Sequence, residues 1–116
     1  MGVWGDGKQT RSFLYIDDCI SAVRSLMDYD GSLGPIPVIN IGSEEMVTIN
    51  QLADIAIGLT NKQIEKVYVN GPQGVRGRNS DNTKIEYYLN WKPAHDLNSG
   101  MKLTFDWIKE EMNNIK

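Results

Sequence analysis

The sequence is short of the residues that most directly announce chemistry. Of its 116 residues one is cysteine and one is histidine, which excludes an intrachain disulfide and a cysteine-based zinc site. Lysine and arginine number 12 against 15 aspartates and glutamates. With a pI near 5.0, the chain lacks the clustered basic face that nucleic acid requires. No apolar run approaches the ~18 residues of a membrane span. The opening M-G-V-W-G-D-G-K-Q-T-R-S has no apolar core of a secretory signal. The expectation is a soluble cytoplasmic protein with no nucleic-acid or membrane partner. Repeats, linkers and low-complexity stretches are missing as well.

What remains is ordinary globular material, 41% apolar with a net charge of −3, too apolar and too nearly neutral for a disordered chain. Elements alternate at short spacing, as in α/β domains. Residues 11–16 (R-S-F-L-Y-I) read as a strand buried on both faces. Asp17 and Asp18 offer a negative first turn for a helix to about Met27, with Cys19, Ile20, Val23, Leu26 and Met27 on its apolar stripe. After the turn-rich D-Y-D-G-S-L-G-P, residues 37–42 (P-V-I-N-I-G) read as a short buried strand. Thr48 or Asn50 can cap a helix to about Leu59, with Ile49, Leu52, Ala53, Ala56 and Leu59 inward. Lys66–Val69 reads as a strand, residues 70–82 as a long polar loop, and 83–89 as a short helix. Asp96 starts the last helix, with Leu97, Met101, Thr104, Phe105, Ile108 and Met112 on one stripe and Leu103 and Trp107 on its shoulder.

Cys19 sits on a helix stripe and reads first as a small core residue, with a reactive thiol as the alternative. His95, in P-A-H-D-L, reads as a surface histidine of a capping region. No metal cluster is visible. Two segments do not read as core: G-D-G-K-Q-T-R at 5–11 and G-V-R-G-R-N-S-D at 74–81. Arg76 and Arg78 alternate, so in an extended stretch they point to one side. Paired guanidiniums suit phosphate oxygens, and glycines let a ligand approach the backbone. A phosphate-binding loop and a solvated basic loop paired with Asp81 or another carboxylate both fit these residue types. G-D-G-K-Q-T-R is neither a dinucleotide fingerprint nor a Walker loop. No usable Y-x-x-x-K pair occurs: Tyr88 and Lys92 have the spacing, but Asn90, Trp91 and Pro93 break a helix there.

In order, G-D-G-K-Q-T-R-S-F-L-Y-I-D-D, V-I-N-I-G, V-T-I-N-Q-L-A, Arg78 with Asp81, L-N-W-K-P and the closing L-x-x-G-x-x-x-T-x-x-W-I-K resemble the C-terminal part of extended short-chain dehydrogenase/reductases. These are the NAD-dependent nucleotide-sugar epimerases and dehydratases. Three strings, W-G-D-G-K-Q-T-R-S-F, I-G-S-E-E-M-V-T-I-N and G-P-Q-G-V-R-G-R-N-S-D-N, resemble the GDP-mannose 3,5-epimerase branch. The resemblance implies an α/β fold: the substrate-binding portion of a Rossmann-fold enzyme, with part of the Rossmann layer and a small mixed lobe. It implies that residues 1–116 form one C-terminal nucleotide-sugar-binding region, that the NAD-binding Rossmann domain is missing, and that NAD is the cofactor of the intact isomerase. In that branch NAD transiently oxidises C4 of the sugar, so that C3 and C5 can be inverted.

Carried over residue by residue, Gln9, Thr10 and Arg11 match a substrate-contacting run, with Arg11 near the diphosphate. Arg78 matches the arginine holding the diphosphate from the opposite loop. Arg76, Asn79 and Asp81 carry weaker claims. Cys19 does not match the family's acid/base cysteine, and this chain has no catalytic or cofactor-binding residue of its own. GDP-mannose is the expected ligand and a homodimer the expected assembly. Two alternatives stay open: a non-catalytic nucleotide-sugar-binding or interaction module, and a fragment of another UDP- or GDP-sugar epimerase or dehydratase.

Overall fold

The computed structural model describes residues 1–115 of the chain. In order it forms β1 (Gly2–Trp4), β2 (Thr10–Ser12), α1 (Ile16–Met27), β3 (Met46–Thr48), α2 (Ile49–Leu59), β4 (Val67–Val69), β5 (Gly77–Arg78), α3 (Thr83–Leu89) and α4 (Leu97–Asn114). Two small sheets result: β1 pairs in parallel with β4, and β3-β2-β5 forms a mixed sheet with β2 at its centre. The second helix starts where local chemistry dictates. Thr48 accepts from the Gln51 N–H while the Gln51 side chain returns to the Thr48 N–H, a reciprocal capping box. Asp96 caps α4 by accepting from the Ser99 N–H at 2.8 Å.

The first expected strand is displaced. β2 ends at Ser12 and the helix already begins at Ile16, so Phe13, Leu14 and Tyr15 form a half-buried connection and Ile16 is exposed. The ladder stops there because β3 supplies partners only for Thr10, Arg11 and Ser12. Within the expected polar loop 70–82, Gly77 and Arg78 form a two-residue strand along the other edge of β2.

The α1 stripe is also corrected. Asp18 and Ala22 are its buried residues, Cys19 and Leu26 are half-buried, and Ile16, Ile20, Val23 and Met27 face solvent. The helix is amphipathic, but its richest apolar face lies away from the core. That core is small: Ala22, Ile85 and Trp91, flanked by Leu14, Ile39, Ile41 and Leu89. In α4 only Leu97 and Gly100 are buried, with Met101 and Phe105 half-buried. Thr104, Leu103, Trp107, Ile108 and Met112 are exposed, so the expected stripe is covered only in its first turns.

Residues 37–42 are not a strand here. Ile39 and Ile41 turn toward the core while Val38 and Asn40 face out, the alternation of a strand. Yet residues 36–41 make no backbone hydrogen bond among the described residues. The shape agrees with incomplete closure. The accessible surface is 8240 Å², where a compact monomer of 13.1 kDa exposes about 6,400 Å². The radius of gyration is 17.3 Å, against about 13 Å for a compact chain of this length.

Candidate anion site and the clasp at the start of the last helix

The central strand β2 brings two of the sequence-selected residues together. Thr10 is in register with Gly77, and Arg11 with Arg78, across a parallel ladder. Residues paired this way share a sheet face with backbones about 4.8 Å apart. Arg11 and Arg78 therefore occupy neighbouring positions on adjacent strands although they are 67 residues apart in sequence. Neither arginine forms a salt bridge to a carboxylate among the described residues. Arg11 is half-buried and donates from Nη1 to the Thr10 carbonyl at 2.6 Å, whereas Arg78 is exposed. Gly77 allows the close approach, since a Cβ there would sit 2.9 Å from Thr10 Oγ1.

The other members of the two polar segments have different work. Arg76 is paired: its Nη2 lies 3.2 Å from Asp6 Oδ2 and its Nη1 3.3 Å from Asp6 Oδ1. The Lys8 backbone N–H and then the Arg76 side chain hold the Asp6 carboxyl below its usual range. Asp81 accepts from the Thr83 N–H at the start of α3, and Asn79 from the Ser80 N–H. Gln9 is buried. Its Nε2 donates to the Trp4 carbonyl at 3.3 Å, while its Oε1 has no donor among the described residues. Gln9 is thus turned toward the β1 end of the turn, two residues before Arg11.

A second cluster was not legible in the sequence. His95 donates its backbone N–H to Asp18 Oδ2 at 3.0 Å and places Nδ1 3.0 Å from Asp18 Oδ1. Asp18 is only 3% exposed, and Tyr15 packs edge-on against the His95 ring at 4.8 Å. His95 is therefore a half-buried bridging residue between α1 and α4, not a free surface histidine. Burial pushes the Asp18 carboxyl up, but bonds from the His95 side chain and from the His95 and Ala94 backbones outweigh it and leave it below the usual range. Glu45 accepts from the Leu97 N–H at 2.9 Å and Trp91 Nε1 donates to Ser21 at 2.8 Å, so residues 91–97 are clipped at three points. Seventy-seven residues part Asp18 from His95, and no periodicity links them.

Two clefts open nearby. An apolar one of about 680 Å³ lies between residues 13–17 and the first turns of α4, with Tyr15, Leu97, Met101 and Trp107 in its lining. A polar one of about 570 Å³ is lined by Asp6, Lys8, Asn50, Tyr68, Asn70 and Gln73, with Gly5 and Val69. Neither Arg11 nor Arg78 lines either cleft. No group of three potential metal ligands occurs among the described residues, and no described helix is long and apolar enough to cross a membrane.

Residues 1–42 match the NAD dependent epimerase/dehydratase family. GDP-mannose 3,5-epimerase 1 of Oryza sativa subsp. japonica is 43% identical over 114 residues, which is 98% of this chain and 29% of that protein. Among solved structures, UDP-glucose 4-epimerase of Thermotoga maritima, with UDP-glucose, superposes with a TM-score of 0.87 at 32% identity. The overlap covers 97% of this chain and 35% of that one. The UDP-glucuronic acid 4-epimerase of Bacillus cereus, in complex with UDP-glucuronic acid and NAD, gives a TM-score of 0.83 at 29% identity, covering 94% and 35%. The chain thus spans about a third of the length of the proteins it matches, and its α/β fold is that of the corresponding portion of them.

Proposed function

Because the chain is similar to NAD-dependent epimerase/dehydratase proteins in sequence and fold, we propose that it is the nucleotide-sugar-holding portion of such an enzyme. Residues 1–116 act in this reading as one C-terminal region, with Arg11 and Arg78 on the diphosphate and Thr10 beside them. Gln9, two residues before Arg11, is buried with its Oε1 still short of a donor. The observation that carries the reading is the in-register, carboxylate-free pair Arg11/Arg78. Two cations held side by side repel unless an anion bridges them, and the guanidinium fork matches phosphate oxygens. A diphosphate clamped from two strands also fixes the attached sugar, and orientation is where such binding energy serves a reaction.

The 43% identity to the rice protein supports GDP-mannose as the ligand and 3,5-epimerisation as the activity of the intact enzyme in this reading. NAD is its cofactor, but this chain's residues do not fit the dinucleotide. The four described helices are preceded by Tyr15, Thr48, Asn82 and Asp96, and none opens from a glycine-rich turn after a strand to cradle a pyrophosphate. The chain's own contribution is to hold and orient. The unpaired segment 36–41 and roughly 1,800 Å² of surface beyond that of a compact monomer support a neighbouring sheet supplied by a longer protein.

Calorimetry on the 116-residue chain with GDP-mannose and UDP-glucose tests the reading. Arg78→Ala weakens GDP-mannose binding by about 1.5–3 kcal/mol, the range of a hydrogen bond to a charged group. Arg76→Ala does less, and Arg78→Lys restores little because a point charge lacks the fork. A larger loss at Arg76 than at Arg78 refutes the assignment. The chain alone binds no NAD and yields no epimerised sugar; micromolar NAD affinity or any product overturns this division of labour.

A further inference from the structure

Three arginines lie at the β2–β5 edge, yet among the described residues only Arg76 has a carboxylate partner. We infer that Asp6 is a positioning residue for the anion site: by engaging Arg76 it seats β5 on β2 and leaves Arg11 and Arg78 free. The inference rests on the diphosphate reading of that arginine pair.

Asp6 is fixed on every side. Its Oδ1 accepts from the Lys8 N–H at 2.9 Å and its carbonyl accepts from Asn50 Nδ2 at 3.1 Å, anchoring the 5–8 turn to the start of α2. Gly5 and Gly7, at φ of 71° and 67°, make that turn possible. A Cβ on Gly5 would collide with Gln73, and one on Gly7 with Asn50. The turn is therefore wedged between α2 and the 70–78 loop. From it the Asp6 carboxylate spans 70 residues to grip both terminal nitrogens of Arg76.

Arg76 immediately precedes β5, and its carbonyl accepts the Thr10 N–H at 2.9 Å. β5 has only two residues, Gly77 and Arg78, too short to hold its own register. The Asp6–Arg76 grip and the Thr10–Arg76 bond together place Arg78 opposite Arg11. The same grip neutralises a third guanidinium beside the pair.

Charge counting and positioning give opposite signs, which makes the test direct. Replacing Asp6 by Asn removes a negative charge near an anion site, so electrostatics alone tightens binding of GDP. Positioning loosens it. In the full chain, Asp6→Asn lowers GDP affinity about two- to fivefold, the scale of an exposed ion pair, and speeds hydrogen exchange at the Thr10 amide. The exchanged pair, Asp6→Arg with Arg76→Asp, recovers part of the affinity and protection lost in Asp6→Asn, the remainder being the Lys8 N–H bond that an arginine at position 6 cannot accept. Equal or tighter GDP binding by Asp6→Asn, in a chain whose Arg78→Ala variant binds weakly, overturns the inference while sparing the diphosphate reading. If the parent chain does not bind GDP, the diphosphate reading falls and the anion-site role falls with it. Unchanged Thr10 exchange in Asp6→Asn overturns the brace itself, with or without ligand.

Discussion

Asp18→Asn isolates the clasp between α1 and α4 with almost no change in volume. The carboxylate is buried, accepts the His95 N–H at 3.0 Å and contacts His95 Nδ1 at 3.0 Å. An asparagine keeps an acceptor oxygen for the His95 N–H and can give its NH2 only to a neutral His95 Nδ1, so the charge-assisted part of the clasp is lost. Trading bonds to a charged acceptor, about 1.5–3 kcal/mol, for neutral ones of about 0.5–1.5 kcal/mol costs on the order of 1 kcal/mol, a sizeable share of the ~5–15 kcal/mol that stabilises a domain. Urea titration followed by tryptophan fluorescence at pH 7 measures the loss, with Trp91 reporting from the same clip. The pH dependence carries a sign. Because the folded Asp18 carboxyl lies below its ordinary value of 3.8, its stabilisation is fully present above that value. It disappears as pH falls through the depressed folded value. The gap between parent and Asp18→Asn therefore narrows only below about pH 4. A gap under ~0.5 kcal/mol, within the range of an ordinary surface substitution, or one unchanged into strong acid, refutes the clasp as a source of stability.

Two other expectations follow from the fold. Thr48→Ala removes the capping box of α2 and lowers stability by about 0.5–2 kcal/mol in the same urea assay; Thr48→Ser retains most of it. The isolated chain associates at micromolar concentration, because Ile16, Ile20, Val23 and Met27 form an exposed apolar stripe on α1 and residues 36–41 lack strand partners. Sedimentation velocity reads this directly, and a stable monomer with cooperative unfolding refutes it.

Local chemistry explains what could be read from the sequence. Thr48 with Gln51, the 83–89 helix and the Asp96 cap of α4 are set by residues within one turn of each other. What escaped depends on distant partners. R-S-F-L-Y-I is apolar throughout, so its pattern cannot show where the ladder ends, and that end is set by β3. Gly77–Arg78 has no hydrophobic pattern at all and becomes a strand only because β2 offers an edge. The α1 stripe misleads for another reason: its period is right, but the polar residue Asp18 is the one drawn inward. At the site, the expected arginines do meet, while Gln9 proves to be buried. The bond between Asp18 and His95 leaves no trace in either local segment.

The unladdered stretch around Val38 sets how long the free chain survives among proteases. Protease clefts take their substrates extended, much as a sheet edge takes a strand. Residues 36–41 alternate toward and away from the core and are free of backbone hydrogen bonds among the described residues, with Val38 91% exposed. Little unfolding separates this segment from a cleavable conformation, so nicking here tracks the time the edge stands uncovered rather than the global unfolding rate. Whatever occupies that edge acts as a shield, and the half-life of the peptide bonds beside Val38 is the clock that times its arrival.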